Sequence, residues 1–595
     1  MTRRRRLLLS VSAVLVALLA LAFTYARLFR GIDLLDESFY VAVPYRWVLG
    51  GRPFVDEMNL LQIAALFTYP FVKAYVWLTG GSAALMLYTR HLYLLFAMGV
   101  AAAVFALLRT IMRWQLAVAA AAVYVSFFAF DLPQLDYNTL ASGFLTLGAV
   151  LALWTILHGR SRWYLAAAGV LQMLGVVVYP TLALVLPVWA LCLLAVTGAG
   201  RWRALAAWVA GAAVTGAAFA AVLVSFGVGN VARCVRFQLA DARRVGQGGG
   251  FTKVHLVVSG PIRLITSRNY ILVIALLVLL VYQRRPGVRR LLVVLLPLAL
   301  LAGGERSVLK SAGFAIMFGL LAPYLYLYVG RERRALATKL LVWGFVPAAA
   351  AALVTGYTSA VGYPNCAVGF IPGMFASAAL FVFAMEPRAR QPAGESRSQS
   401  PGPRVRPLIA RWLATLDRLT PDLTLFALAA IVAVTIVFQF QYLPRFVPYS
   451  QTTKRMDFGP WEGIYTTPVR YAYLRQVTDD LHTYARPSDR ILFFSGFPAG
   501  YLMWPYRMAA NTVWITNADG VTGPLPKTTY DYFERKQVVP DVVFRVWRTA
   551  PDAPAGFLDQ LSGGLPYPLI AVRPNYLVFR RPAGFTAASV PAQLR

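Results

Sequence analysis

Thirteen stretches of this chain are apolar and free of Asp, Glu, Lys and Arg, and they constrain the fold more than any motif. They fall at about 7–24, 92–108, 116–130, 139–157, 164–179, 181–199, 204–226, 270–282, 291–302, 313–329, 340–355, 367–385 and 422–440. A helix that spans a bilayer needs roughly 20 apolar residues. Several of these runs are shorter and must borrow flanking polar residues. The chain is 58% hydrophobic and only 14% charged, with a mean hydropathy of +0.59. Those values lie outside the range of a soluble domain. The expected fold class is an α-helical polytopic membrane protein of about 13 transmembrane helices.

The charges between the runs orient the chain. Basic residues outnumber acidic ones, 57 to 25, for a net charge of +32. In a soluble protein this would suggest nucleic acid; here much of the excess sits in alternate short loops, so no nucleic-acid partner is expected. Arg3–Arg6, Arg109 and Arg113, Arg160 and Arg162, Arg201 and Arg203, Arg284–Arg290, Arg331–Lys339 and the seven arginines of 386–421 all fall on one side. The positive-inside rule makes that side cytoplasmic. An odd number of spans then leaves the C-terminus outside, so the expected location is the cytoplasmic membrane. No clear small-residue cleavage site precedes Tyr25, and the first run reads as retained. The segment 60–78 is apolar enough to span, but it contains Lys73 and Pro70, and counting it would invert every later loop. It reads as a helix in the outer interface, with Tyr69, Tyr75 and Trp77 at headgroup depth.

The expected domains are a transmembrane module over 1–385 with its first outer loop at 25–91, a Pro-, Ser- and Arg-rich cytoplasmic linker over 386–421, a last span at 422–443, and an outer α/β domain over 444–595. Within that domain 490–495, 511–516, 541–547 and 576–580 look like strands and 467–484 like a helix. Tryptophans 461, 504, 514 and 547 could stack on sugars, although core packing suits most of them. The three cysteines exclude a disulfide framework or thiolate cluster. Cys234 and Cys366 both fall on the outer side and could pair; unpaired structural cysteines are the preferred reading.

Polar chemistry gathers on the outer face. The first loop carries Asp33, Asp36, Glu37, Asp56 and Glu57. Such a carboxylate can act as a general base where pKa and position suit; alternatively it is a solvated loop residue or a helix cap. A segment over 233–268 holds Arg233, Arg236, Arg243, Arg244, Lys253, Arg263 and Arg268 around a Gly-rich stretch, and Glu305, Arg306 and Lys310 form a smaller cluster. These could grip a phosphate or lipid headgroups. No triad spacing, HExxH, P-loop or GxGxxG is present. The two acid pairs leave room for a divalent cation without a diagnostic spacing.

The stretch Leu35-Asp36-Glu37-Ser38-Phe39-Tyr40, followed by Gly50-Gly51-Arg52-Pro53-Phe54-Val55-Asp56, resembles the first outer loop of the GT-C integral membrane glycosyltransferases, of the protein O-mannosyltransferase, aminoarabinose transferase and arabinosyltransferase types. The resemblance implies a multispan bundle with interfacial helices in the first loop and an outer C-terminal domain. It implies inverting transfer of a sugar from a polyprenyl-phosphate carrier to a hydroxyl of a glycan, lipid or protein. Asp36 would be the base and Glu37 would orient the acceptor or hold the base, with Asp56 or Glu57 as alternates. Arg243, Arg244, Arg268, Arg306 and Lys310 are the candidates for neutralising the departing phosphate, chosen by outer position and not by a matched motif. The competing classes are a lipid-linked sugar transporter and a non-catalytic assembly or ligation factor of the cell envelope. A transporter would place charges within its spans near the midplane, and the sequence shows neither such charges nor repeated halves.

Overall fold

The computed structural model describes residues 3–126, 132–159, 161–244, 254–255, 309–359, 362–385, scattered positions between 424 and 432, and 441–590 apart from 443–446, 495, 504, 506, 516–524 and 547–563. Each apolar run inside those ranges forms a helix. In chain order they are α1 (Arg3–Leu28), α2 (Asp36–Val48), α3 (Ala65–Thr79), α4 (Leu85–Leu108), α5 (Trp114–Val125), α6 (Tyr137–His158), α7 (Trp163–Val178), α8 (Leu186–Val196), α9 (Arg201–Ser225) and α10 (Val228–Arg244). After them come α11 (Leu309–Tyr328), α12 (Arg331–Leu340), α13 (Val346–Thr358), α14 (Cys366–Phe370) and α15 (Met374–Met385). Among the described residues, seven helical segments are long and apolar enough to cross a membrane. The runs at 270–282 and 291–302, the linker at 386–421 and most of 422–440 lie outside the described residues.

Small residues let the bundle close. A Cβ on Gly169 of α7 would strike the Trp208 carbonyl, and one on Gly211 of α9 would strike the Ala166 carbonyl. Close backbone approach of this kind is how helices associate where both solvent and side chains are apolar. The Trp208 indole N–H donates to Gln172 Oε1 at 2.6 Å across the same contact. Between α12 and α13 a single π-helical turn, Leu341–Phe345, carries the fully buried Trp343, whose Nε1 donates to the Ala149 carbonyl of α6 at 3.2 Å.

The C-terminal part is α/β. Its four-stranded sheet consists of β1 (Ile491–Phe494), β2 (Val542–Val546), β3 (Leu569–Arg573) and β4 (Tyr576–Arg580) in the order β1-β2-β4-β3. The β1–β2 pair is parallel, with Ile491 opposite Val542, and the others are antiparallel. Burial on both faces explains why β1, β2 and β4 are legible as runs rich in Val, Leu and Phe. The half-exposed edge strand β3 is not, and the segment 511–515, expected as a strand, forms none. Helix α16 (Pro468–Tyr484) starts at Thr467, whose side chain accepts from the Arg470 N–H. It is clamped to the sheet by Asp480, which receives both Arg573 Nε and Nη2 at 2.7 and 2.9 Å and the Tyr576 hydroxyl at 2.6 Å. Two short helices, α17 (Pro498–Met503) and the polar α18 (Lys527–Lys536), complete the domain.

The segment between α1 and α4 and this domain share one hydrophobic core. Phe39, Tyr45 and Trp47 of α2 and Met86 of α4 belong to the same buried cluster as Trp461, Phe493, Phe497 and Tyr501. Backbone bonds reinforce it: Gly31 N–H to the Tyr465 carbonyl at 2.9 Å, Tyr465 N–H to the Phe29 carbonyl at 2.7 Å, and Met58 N–H to the Asn511 carbonyl at 2.8 Å. The segment 60–78 forms a 3-10 turn, Leu60–Ala64, and α3, which packs along α2. Its length and composition would also suit a span. Cys192, Cys234 and Cys366 are buried and free, so the Cys234–Cys366 pairing is not made.

Candidate functional site in the first loop

The acids of the first loop part company once folded. Asp33 is 4% exposed. Its carboxylate accepts from the Leu35 and Glu37 N–H groups at 3.2 and 3.0 Å, and its carbonyl accepts the Ser38 hydroxyl at 2.6 Å. Leu35, the residue at the helix boundary, has no side-chain acceptor, so Asp33 caps α2 from two residues upstream. Burial pushes the Asp33 carboxyl up, with the Glu37 charge adding to it, against the two backbone bonds and Arg470.

Glu37 is 1% exposed and locked. Arg90 of α4 donates to its Oε1 from Nε at 2.6 Å and to its Oε2 from Nη2 at 2.7 Å. The same guanidinium donates to the Leu28 and Gly31 carbonyls at 2.6 and 2.7 Å. One bidentate pair thus ties the end of α1, the following loop, the first turn of α2 and α4. A buried ion pair persists only when its remaining donors and acceptors are met, as they are here. Glu37 therefore holds the first turn of α2 in place.

Asp36 stands in the same turn, half-buried. One turn on, Tyr40 lies with its ring 5.9 Å from that of Tyr137, which in turn lies 5.2 Å from Tyr179. Burial raises the Tyr40 hydroxyl well above its ordinary value, and the charges of Tyr137, Asp136 and Asp36 add to it. The Tyr40–Tyr137 ring contact brings the first turn of α6 against α2.

Asp136 did not stand out in the sequence, where it reads as one acid in a short loop. It caps α6: its Oδ1 accepts the Thr139 N–H at 2.6 Å, and the Thr139 hydroxyl accepts the Asp136 N–H at 2.9 Å. Asn138 Nδ2 donates to its Oδ2 at 3.2 Å, while the buried Asn138 Oδ1 has no hydrogen-bond partner among the described residues. Burial lifts the Asp136 carboxyl to about 6, against the bonds from Thr139 and Asn138. The capping box is a signal that could have found it.

Asp56 and Glu57 lie elsewhere. Ten residues of α2 separate Asp36 from Arg46, about 15 Å of helix, and both alternates gather at the Arg46 end. Glu57 is fully buried, accepts the Val513 N–H at 2.9 Å and the Asn59 N–H at 3.1 Å, and sits 3.6 Å from Arg46 Nη1. Asp56 pairs with Lys536 of α18 at 2.6 Å and accepts the Arg52 N–H at 2.9 Å and the Tyr532 hydroxyl at 3.3 Å. These acids fasten the loop to the C-terminal domain.

The basic candidates are partly placed. The segment expected as a loop from 233 begins as helix: Arg233 and Arg236 lie on α10, and Arg243 and Arg244 end it. Cys234 Sγ of α10 lies 3.5 Å from the Phe54 carbonyl, docking that helix on the first loop. Lys310 is in the first turn of α11; Arg268 and Arg306 are outside the described residues, as are Trp504 and Trp547. Trp461 is buried in the core and Trp514 packs edge-on against Phe39 at 5.3 Å. Among the described residues no group of three or more His, Cys, Asp or Glu side chains is arranged to hold a metal ion. A cavity between α4, α5 and α6, lined by Tyr93, Tyr124, Thr139 and Ser142, measures about 20 Å³, the size of a water site and not of a sugar.

No family model matches the chain, and no curated protein matches it. Solved membrane-protein structures do. The oligosaccharyltransferase of Archaeoglobus fulgidus in complex with Zn and sulfate is similar at 12% identity over 89% of this chain and 68% of that one, with a TM-score of 0.45. ArnT of Cupriavidus metallidurans is similar at 14% identity with undecaprenyl phosphate bound, over 96% of this chain and 98% of that one (TM-score 0.43), and at 13% identity in the apo state, over 97% and 98% (TM-score 0.46).

Proposed function

We propose that the chain is a multi-pass glycosyltransferase of the cytoplasmic membrane, with its N-terminus in the cytoplasm and its outer domain outside. It moves a sugar from a polyprenyl-phosphate carrier to an acceptor hydroxyl at the outer face, with inversion. The sequence resemblance of the Asp36-Glu37 loop supports the reaction class. The observation that carries the residue assignment is the sorting of the first-loop acids. Asp33, Glu37, Asp56 and Glu57 are each 9% exposed or less and engaged in capping, the Arg90 clamp or the domain contact. Asp36 is the one of the five that stays half-buried, in the first turn of α2.

In this reading Asp36 takes the acceptor's proton as its oxygen attacks the anomeric carbon, while the carrier phosphate departs. Glu37 and Asp33 are positioning residues that fix the turn. Asp136 and the unpartnered Asn138 Oδ1 offer acceptors to sugar hydroxyls on the opposite wall. The departing phosphate needs cations close by, for which Arg243, Arg244, Arg268, Arg306 and Lys310 remain the candidates.

The test is sugar transfer by the purified protein from labelled polyprenyl-phosphate sugars. Asp36→Asn is expected to lower kcat by about 10²–10⁴-fold with thermal stability unchanged. Asp36→Asn retaining wild-type transfer would remove it as the base. Wild-type protein inert toward every donor, yet required for envelope assembly in cells, would favour the non-catalytic assembly class.

A further inference from the structure

We infer that the polar cleft between the C-terminal turn of α2 and the outer domain is a binding subsite for an oxyanion, a phosphate or carboxylate group. The cleft encloses about 250 Å³, below the roughly 300–1,000 Å³ of drug-sized ligand pockets, which suits a single charged headgroup or sugar acid. Its walls carry Arg46, Arg490, Arg507 and Lys536 against one carboxylate, Asp56.

The cations are not all spent on the protein. Lys536 is paired with Asp56 at 2.6 Å, and Arg46 Nη1 lies 3.6 Å from Glu57. Yet Arg46 is 4% exposed, and that same Nη1 makes no hydrogen bond. Its other terminal nitrogen donates to the Ala510 carbonyl, which fixes the guanidinium in the cleft wall. The Arg490 and Arg507 guanidinium groups make no hydrogen bond or ion pair among the described residues: Arg490 engages Asp541 only through its backbone N–H and carbonyl, and Arg507 engages Ile491 only through its carbonyl. Three arginines around a small volume, one of them buried with an idle donor, form the forked-donor pattern that holds carboxylate or phosphate in two-pronged fashion.

The backbone opens the cleft from the loop side. Gly50 has φ +93° and ends α2 where an L side chain would be strained. At Gly51 a Cβ would meet Arg46 Cγ and the Arg46 carbonyl at 2.9 Å, so a side chain there would displace the arginine.

The subsite lies about 15 Å from Asp36 along α2, too far for the reacting sugar. It goes beyond the proposed transfer and is tested without it. The shared oxyanion chemistry has two sources, the phosphate of a lipid carrier or an acid group on a soluble glycan. The full-length protein in lipid nanodiscs is titrated with inorganic phosphate and with galacturonate, by calorimetry and thermal shift. Saturable binding of at least one probe is expected, weakened tenfold or more in Arg490→Gln/Arg507→Gln and unchanged in Arg486→Gln. The exposed or half-exposed, unpaired side chains of Arg490 and Arg507 make the double variant safe for folding, and its Tm is read alongside. Loss of probe binding when undecaprenyl phosphate is added to the nanodisc assigns the subsite to the lipid phosphate. Binding indifferent to that lipid assigns it to a soluble acid group. No saturable binding of either probe to the wild type, or equal affinity in the double variant, overturns the proposal.

Discussion

At the scale of single residues, five carboxylates within one loop acquire different chemistry from their surroundings alone. Glu37 and Arg90 exclude water and satisfy each other, so Glu37→Gln leaves a buried guanidinium without its counter-charge. The expected cost is about 3–5 kcal/mol, read as a lowered Tm and reduced yield of folded protein. An unchanged Tm in Glu37→Gln would mean the clamp is not structural. Asp136 gives a pH signature. Its folded pKa of about 6 stands above the ordinary 3.8, so the folded state holds the extra proton between those values. The stability this contributes is fully present below about pH 4 and is lost as pH rises through 6. If its carboxylate serves the sugar, kcat/KM rises across pH 5 to 7, and the acid limb disappears in Asp136→Asn. A flat profile in wild type over that window would take Asp136 out of the reaction.

At the scale of elements, helix contacts in the bundle are set by which residue can be small. Gly169 and Gly211 place the backbones of α7 and α9 in contact, and a side chain at either meets a carbonyl that cannot swing aside. Gly216, on the same helix as Gly211, faces only the flexible end of Met173 at 3.0 Å. Gly211→Val is therefore expected to destabilise by about 1–3 kcal/mol, whereas Gly216→Ala is nearly neutral, both read by thermal unfolding in detergent. Equal effects would deny the close crossing. Periodicity and length make these helices legible in the sequence. The crossing is not, because a glycine in an apolar run looks the same whether it faces lipid or a neighbouring backbone.

At the scale of the whole molecule, the C-terminal domain is an extension of the first loop's core. Asp56 sets one of its ties. Burial raises its carboxyl, but Lys536, the Arg52 N–H and the Arg46 charge outweigh that and hold it below the usual range. The stabilisation is present above about pH 4 and is lost as pH falls through the depressed folded value. Lys536→Met should loosen the contact by on the order of 1 kcal/mol, since both partners are partly solvated. Hydrogen exchange should rise in 52–58 and 511–515 while α6–α9 stay protected. Unaltered exchange in 52–58 would show that the hydrophobic contacts hold the domains without this pair.

Composition and run length by themselves determined the helical membrane class, and short runs rich in Val, Leu and Phe determined three of the four strands, because burial in lipid or on both faces of a sheet marks consecutive residues. The Asp36-Glu37 loop was also visible, as an acid pair after the first apolar run. Which acid does what was decided only in three dimensions. Arg90 lies 53 positions from Glu37, Asp136 is 100 from Asp36, and Lys536 is 480 from Asp56. A carboxylate's role follows from the partners and water around it, and those arrive through contacts that leave no trace in local sequence.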